Sequence, residues 1–569
     1  MSAALGERLA VALAVALGLL FLVEGVALRR RGRAASTPRT GGAAGASRPK
    51  ATRAETAAAT TAAATTAAPE TEPEPETPTR RRVDGPEGDR QAPVARLAAS
   101  LAPRLARREV VVAAVVVGAA LRLAWVVWAT RTPTGLRDPA EYLRIAVGLT
   151  EGDLPRFGGG GGPSAFWPPG YPALLAPFVW VARETGWAST AFVASLVNVV
   201  AGTASVALAG VLAGQWLGRS ARAVAAWLVA LAPGLVFWTS TPHTETAFTP
   251  FLLGALVLAS AAADRPSTRR WALVGVLAAA AFLVRSPGVI VLAAPALALR
   301  GRTGTWRGAL RPTLVTVAVA AALLVPWTVR NGVQVGFWSP ASTNNAGAVC
   351  FGHHDDALPL WEPEKLSQRI QDDCYGTSPY AERRFAELYR LSGAAAEAMP
   401  VEVDEAAWYR EATGKGVRWA LTHPLDELRL DVHKVWETWS SEGRVVDGAR
   451  NFEDPGWAGR WHGPLEALAD WWGWLVGALA LAGLATSAAC RRALVLWVPI
   501  VLYTLAIAGG VVDPHYRYPV VPLVAALAAG ALVHVGRRAV GAAPADPPAP
   551  SPAGEHGGTM SSLLERAAP

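Results

Sequence analysis

Between residues 110 and 535 the chain alternates apolar runs of roughly 20 residues with short arginine clusters, and few folds survive that pattern. In hydrocarbon every backbone amide needs a partner within its own segment, so runs of that length are helices. Several in series, with charge gathered at their ends, make an all-α polytopic membrane protein. The chain has 569 residues and a formal net charge of +8, which raises nucleic acid as a partner. The positive charge sits mostly beside the apolar runs, where it sets topology, and this argues against nucleic acid. Only four of the 53 basic residues are lysines, the signature of a high-GC bacterial genome. An arginine here is informative through its place, not its presence.

By the positive-inside rule, Arg104, Arg107 and Arg108 start the run 110–130 in the cytoplasm and put Asp138 outside. Later clusters keep the parity. The run 188–214 returns to Arg219 and Arg222, 222–240 goes out to His243 and Glu245, and the next run ends inside at Arg265, Arg269 and Arg270. Residues 271–299 are too long for one comfortable span and are broken at Arg285-Ser286-Pro287-Gly288. They predict a hairpin of two short helices with Arg285 at its outer tip. The run 311–329 crosses outward and 465–487 returns to Arg491 and Arg492. With 494–509 and 518–535, the total reaches about 10–11 spans. The loop holding His515 and Arg517 lies outside. The apolar stretch 171–182 is short, and parity holds only if it stays at the surface or is re-entrant.

Six regions follow. Residues 1–33 read as an N-terminal transmembrane anchor, because the positive charge lies on the wrong side for a signal peptide. Residues 34–107 form a disordered Ala/Thr/Pro/Glu-rich cytoplasmic linker. Residues 108–329 form a transmembrane core with a first outer loop at 131–170, and 330–463 an extracytoplasmic segment, mostly helical, as in 402–421 and 425–440. Residues 464–538 supply the C-terminal transmembrane helices and 539–569 a disordered cytoplasmic tail. Cys350 and Cys374 both fall in the outer segment, where an oxidising surrounding favours a disulfide over two free thiols.

Every candidate polar group thus falls on one face. Asp138, Pro139 and Glu141 make a capping box, yet a carboxylate held there at the bilayer edge also suits a general base. Glu141 reads as the cap and Tyr142 as an interfacial aromatic. Glu245 opens a helix after Pro242 and His243, where the helix dipole alone accounts for an acid as well as function does. Arg285, Arg330 and Arg517 lie at the outer face, where topology does not explain them, and guanidinium suits a lipid phosphate or a protein carboxylate. Arg122 lies inside a span, which marks either function or snorkelling toward the interface. Residues Trp167 to Pro172 are stiff and aromatic, suiting a helix start at the membrane surface or a wall against a sugar ring. The glycine run 158–162 lacks the context of a phosphate loop. His353-His354-Asp355-Asp356 constrains a metal geometry poorly.

Together Asp138-x-x-Glu141-Tyr142, Trp167-Pro168-Pro169-Gly170-Tyr171-Pro172, Thr244-Glu245, Val284-Arg285-x-Pro287, Pro326-Trp327-x-x-Arg330-Asn331 with Ser342-Thr343-Asn344, and Tyr516-Arg517-Tyr518-Pro519 resemble bacterial membrane glycosyltransferases related to the protein O-mannosyltransferases and aminoarabinose transferases. The resemblance implies a GT-C fold and transfer of a sugar from a polyprenyl-phosphate donor to an acceptor hydroxyl on a protein, lipid or glycan. It implies an inverting displacement at the extracytoplasmic side of a bacterial plasma membrane. Asp138 matches the catalytic base, Glu245 the second acidic position, and Arg285, Arg330 and Arg517 the donor-phosphate positions, with His243 and His515 in support. No cofactor is required, although some such enzymes use a divalent metal. The chain departs from the mannosyltransferases in having Pro139 after Asp138 where they have an adjacent Asp-Glu pair, and in lacking a β-rich module in 330–463. A transporter or lipid-linked-sugar flippase is the competing reading, and would show polar, broken helices near the bilayer midplane. A non-catalytic scaffold is the third.

Overall fold

The computed structural model describes residues 104–105, 107–130, 138–156, 162–357, 370, 373–374, 404–441 and 458–539. The chain forms two units, one of residues 11–91 and one of the rest, and all described residues belong to the second. The expected anchor, nearly all of the linker and the tail beyond residue 539 lie outside the described residues.

The helices are α1 (Arg108–Ala129), α2 (Asp138–Thr150), α3 (Gly170–Thr185), α4 (Thr190–Leu217), α5 (Arg219–Ala230), α6 (Pro233–Phe237), α7 (Thr244–Asp264), α8 (Thr268–Val284), α9 (Ala294–Thr303), α10 (Leu310–Val335), α11 (Asn344–Gly352), α12 (Glu405–Thr422), α13 (Pro424–Ser440), α14 (Ala458–Thr486), α15 (Ala488–Arg492), α16 (Leu494–Ala508) and α17 (Val521–Ala539). No strand occurs among the described residues; one isolated bridge pairs Arg156 with Pro163 across the glycine run. Six helices are long and apolar enough to span a bilayer, or seven if α5 and the segment Pro233–Ser240 count as one bent span. The other expected crossings fall on α8, α9 and α16, which are shorter, and on residues 9–28, outside the described set. The chain is a multi-pass membrane protein.

Polar side chains inside the bundle hold the breaks in its helices. α5 stops at Ala230 because Pro233 starts the next helix, and the two axes differ by 57°. That break leaves carbonyls without intrahelical partners in an apolar surrounding. Arg122 on α1 fills the need: its Nη2 donates to Val229 O at 3.1 Å and its Nη1 to Ala230 O at 3.3 Å and Gly118 O at 3.0 Å. At 1% exposure, Arg122 is interior and does not snorkel. Gly202 makes room for it, since a Cβ there would lie 2.7 Å from Arg122 Nε.

The turn after α6 is held as tightly. Trp125 Nε1 donates to Phe237 O at 2.8 Å, Ser195 Oγ to Ser240 O at 3.1 Å, and Asn198 Nδ2 to Thr241 O at 2.9 Å. These bonds fix the entry to α7. α8 ends at Arg285 in extended backbone, and a 3₁₀ segment, Ser286–Ala293, folds back along it to α9, forming the expected hairpin. α3 is a 16-residue helix and is not among the candidate spans. Its first residue, Gly170, lies against the backbone of Leu283 and Val284; a Cβ would come within 2.5 Å of Leu283 C, so only glycine permits this approach.

The described helices after α10 include α12 and α13, which lie within a few residues of their expected limits. Cys350 and Cys374 form a disulfide with a Cα–Cα distance of 5.8 Å. Trp408 of α12 donates to Cys374 O at 3.0 Å, joining the bridge to the helix.

Candidate active site

Glu245 is the centre of a buried polar cluster. It occupies the first turn of α7 with no exposed surface. Arg285 Nη1 forms a short ion pair with Glu245 Oε1 and donates to Thr244 Oγ1 at 2.9 Å. His515 Nε2 lies 3.6 Å from Oε1, and His243 Nδ1 lies 4.0 Å from Oε2. Trp238 Nε1 donates to Oε2 at 3.3 Å. The Trp238 ring stacks on both imidazoles, with centroids 5.0 Å from His243 and 4.3 Å from His515, and the two imidazoles lie 5.4 Å from each other. Arg285 lies over the Tyr516 ring at 4.6 Å. Three loops that are distant in sequence therefore meet at one carboxylate.

Asp138 stands at the edge of this cluster. It is the first residue of α2, half-buried, and accepts from Trp167 Nε1 at 2.9 Å. Its charge acts on His243, Tyr142 and Tyr516. Burial pushes His243 down to about 4 against the pull of Glu245, so its ring is neutral at neutral pH. Burial, and then Asp138, raises the Tyr142 hydroxyl well above the usual phenol range. Tyr142 is 5% exposed and packs edge-on against Tyr171, which corrects its expected place in an interfacial belt. Trp167, 3% exposed, is likewise interior. Glu141 is buried and takes Arg144 Nε on both oxygens, at 2.9 and 3.2 Å; Arg144 reaches on to Arg156 O at 2.7 Å.

The three expected phosphate arginines have different surroundings. Arg285 lies in the cluster, with its Nε buried and without a hydrogen-bond partner. Arg330 donates to Ser164 O at 2.6 Å and Pro155 O at 2.7 Å. Arg517 is 3% exposed and donates to Thr438 O and Ser441 O of α13 and its end. Both bind backbone carbonyls and hold loops in place. His353 and His354 diverge: the first meets Glu427 at 3.0 Å and the second Asp373 at 3.1 Å. Asp431 completes a second possible ligand group with His353 and Glu427, and Lys434 Nζ lies 3.6 Å from Asp431.

Sequence reasoning passed over Glu405. This α12 residue is 2% exposed and accepts from Ala165 N at 2.9 Å and Thr343 Oγ1 at 2.8 Å. Thr343 N donates to Ala165 O at 3.0 Å, and Ser342 Oγ to Phe166 O. Residues 164–166, next to Trp167, are thus fastened to two other segments. Burial raises the Glu405 carboxyl above the usual range, against its hydrogen bonds and the Arg330 charge. Its only trace in the sequence is an acid in the first turn of a helix, which the helix dipole explains equally well.

His243, Glu245 and His515 bring their ligand atoms within 4.8 Å of one another. Asp513 sits on His515 Nδ1, which leaves Nε2 as the free nitrogen facing Glu245. Two imidazoles and a carboxylate, with a carboxylate behind one imidazole, are a donor set that fits a divalent transition metal.

No curated protein matches the chain. Among solved structures it is similar to the oligosaccharyltransferase of Archaeoglobus fulgidus in complex with zinc and sulfate, at 14% identity and a TM-score of 0.44, over 76% of this chain and 50% of that one. It is also similar to the ArnT protein of Cupriavidus metallidurans bound to undecaprenyl phosphate, at 15% identity and a TM-score of 0.34, over 75% of this chain and 78% of that one. The chain spans about half the length of the archaeal enzyme. Residues 168–329 match the family described as dolichyl-phosphate-mannose-protein mannosyltransferase. It is this segment, with His243, Glu245 and Arg285 in it, that is similar to the dolichyl-phosphate-mannose-protein mannosyltransferases.

Proposed function

We propose that the protein is a GT-C membrane glycosyltransferase that moves a sugar from a polyprenyl-phosphate donor to an acceptor hydroxyl by single displacement with inversion, outside a bacterial plasma membrane. The observation that supports this reading is the carboxylate of Asp138, bound by Trp167 and acting by its charge on His243, at the edge of a cluster whose Glu245–Arg285 pair lies in the stretch similar to the mannosyltransferases. Asp138 takes the proton of the acceptor hydroxyl as that oxygen attacks the anomeric carbon. The lipid phosphate departs with the bonding pair. Its charge needs stabilisation more than protonation, and Arg285, with an unpartnered Nε, is the cation placed to give it. Glu245, wholly buried and bound to Arg285, acts here by positioning that guanidinium and not as a base. Arg330 and Arg517 hold the surrounding loops.

His243, Glu245 and His515 would hold a divalent metal, and such an ion would supply Lewis-acid stabilisation of phosphate charge. A transporter fits less well. Two polar residues buried within the described spans, Arg122 and Asn198, are engaged with backbone carbonyls at helix breaks, as a structural role requires.

The test incubates membranes bearing wild-type protein or Asp138→Asn with labelled polyprenyl-phosphate sugars and follows label into protein, lipid and polysaccharide. Transfer by wild type and its loss in Asp138→Asn are expected. Undiminished transfer by the variant removes the base assignment, and no transfer from any lipid-linked donor counts against the enzyme class.

A further inference from the structure

Helix α13 is amphipathic in the wrong sense for water. Its buried side carries Leu430, 1% exposed, but also Lys434, 2% exposed, with Thr438 and the half-buried Glu427 and Asp431. Its outward side carries Leu425, Leu428, Val432, Val435 and Trp436, the last 67% exposed. At 100° per residue these five fall within a single arc about 100° wide. A helix on a water-soluble surface exposes its lysine, and a continuous exposed apolar stripe opposite a buried lysine meets something other than water.

The neighbours of α13 indicate what it meets. Lys434 Nζ donates to Ala508 O at the end of α16 at 2.9 Å. Trp474 of α14 donates to Ser440 O at 2.6 Å, and Ser441 Oγ to Asp470 at 3.2 Å. α13 therefore adjoins α14 and α16, on which Trp471, Leu475 and Leu505 are exposed and, in a membrane protein, face lipid. α13 itself does not cross. Its 17 residues reach about 25 Å, short of the hydrocarbon thickness, and one side is charged.

We propose that α13 lies flat in the membrane interface, at the end of the bundle that holds the candidate active site, with Leu425, Leu428, Val432, Val435 and Trp436 sunk into the bilayer surface. The occupant of the apolar face is lipid, continuous with the lipid around α14 and α16. Arg517, two residues after His515, donates to Thr438 O and Ser441 O, so the seated helix also carries one wall of the polar cluster. The inference stands on the helix and its neighbours, independently of the transferase reading.

The full chain in phosphatidylethanolamine/phosphatidylglycerol nanodiscs, with Cys490→Ser to remove the free thiol, tests it through a nitroxide attached at Val432→Cys. Leu428→Cys is the second apolar site and Asp426→Cys, on the polar side, the reference. The ratio of accessibility to oxygen over a water-soluble nickel complex is expected to be severalfold higher at 432 and 428 than at 426. Equal ratios at the three sites, meaning an apolar face open to water, overturn the proposal. So does shielding of 432 and 428 from both reagents, which would mean that protein covers the face.

Discussion

Trp167 donates its indole N–H to Asp138 Oδ1 at 2.9 Å, joining the start of α2 to the turn before α3. Trp167→Phe keeps a ring and deletes the donor. A hydrogen bond to a charged group is worth about 1.5–3 kcal/mol, so kcat for sugar transfer should drop roughly 10- to 100-fold. Asp138→Asn should lose about 10²- to 10⁴-fold. The double variant should be no worse than Asp138→Asn alone, because the indole acts through the carboxylate. Losses that multiply would mean that Trp167 has an independent role.

The ion pair of Glu245 with Arg285 is buried, and removing one member strands the other. Arg285→Met is expected to cost about 3–5 kcal/mol of stability in detergent. Combining it with Glu245→Gln should recover most of that stability while transfer stays absent. Recovered transfer in the double variant would show that Arg285 does nothing beyond neutralising Glu245.

Glu405 gives a pH dependence with a definite sign. Its folded carboxyl titrates above the unfolded value, so the folded chain holds the proton more tightly. The stabilising contribution is complete below the ordinary glutamate range and disappears as pH rises through the folded value. Wild-type Tm should therefore fall relative to Glu405→Gln as pH rises above the ordinary glutamate range. Parallel Tm curves for the two proteins would refute it.

The disulfide closes a loop with a sequence separation of 24. Loop-closure entropy puts its contribution near 3 kcal/mol. Reductant should lower the unfolding midpoint of wild type and leave that of Cys350→Ser/Cys374→Ser unchanged. An equal response in both proteins would locate the effect elsewhere.

Charge parity made the helix order legible in the sequence, and with it the break at Arg285, because basic residues beside apolar runs obey a strong energetic rule. It also brought Asp138, Glu245, Arg285 and His515 to one end. It did not separate Arg285 from Arg330 and Arg517, since all three lie at that end and differ only in which carbonyl or carboxylate lies within reach. Arg122 was ambiguous for a related reason: the carbonyls it caps are on α5, far along the chain. Glu405 left no usable trace, because its partners Ala165 and Thr343 come from other segments.

The polar cluster draws on chain made early and late. Asp138 arrives with the second described helix, and His515 just before the last. A ribosome delivers these parts in order, so a chain halted just before Asp513 has all but the last of the described helices and no complete constellation. The cluster is therefore assembled only once the chain between α16 and α17 has been made, late among the described segments.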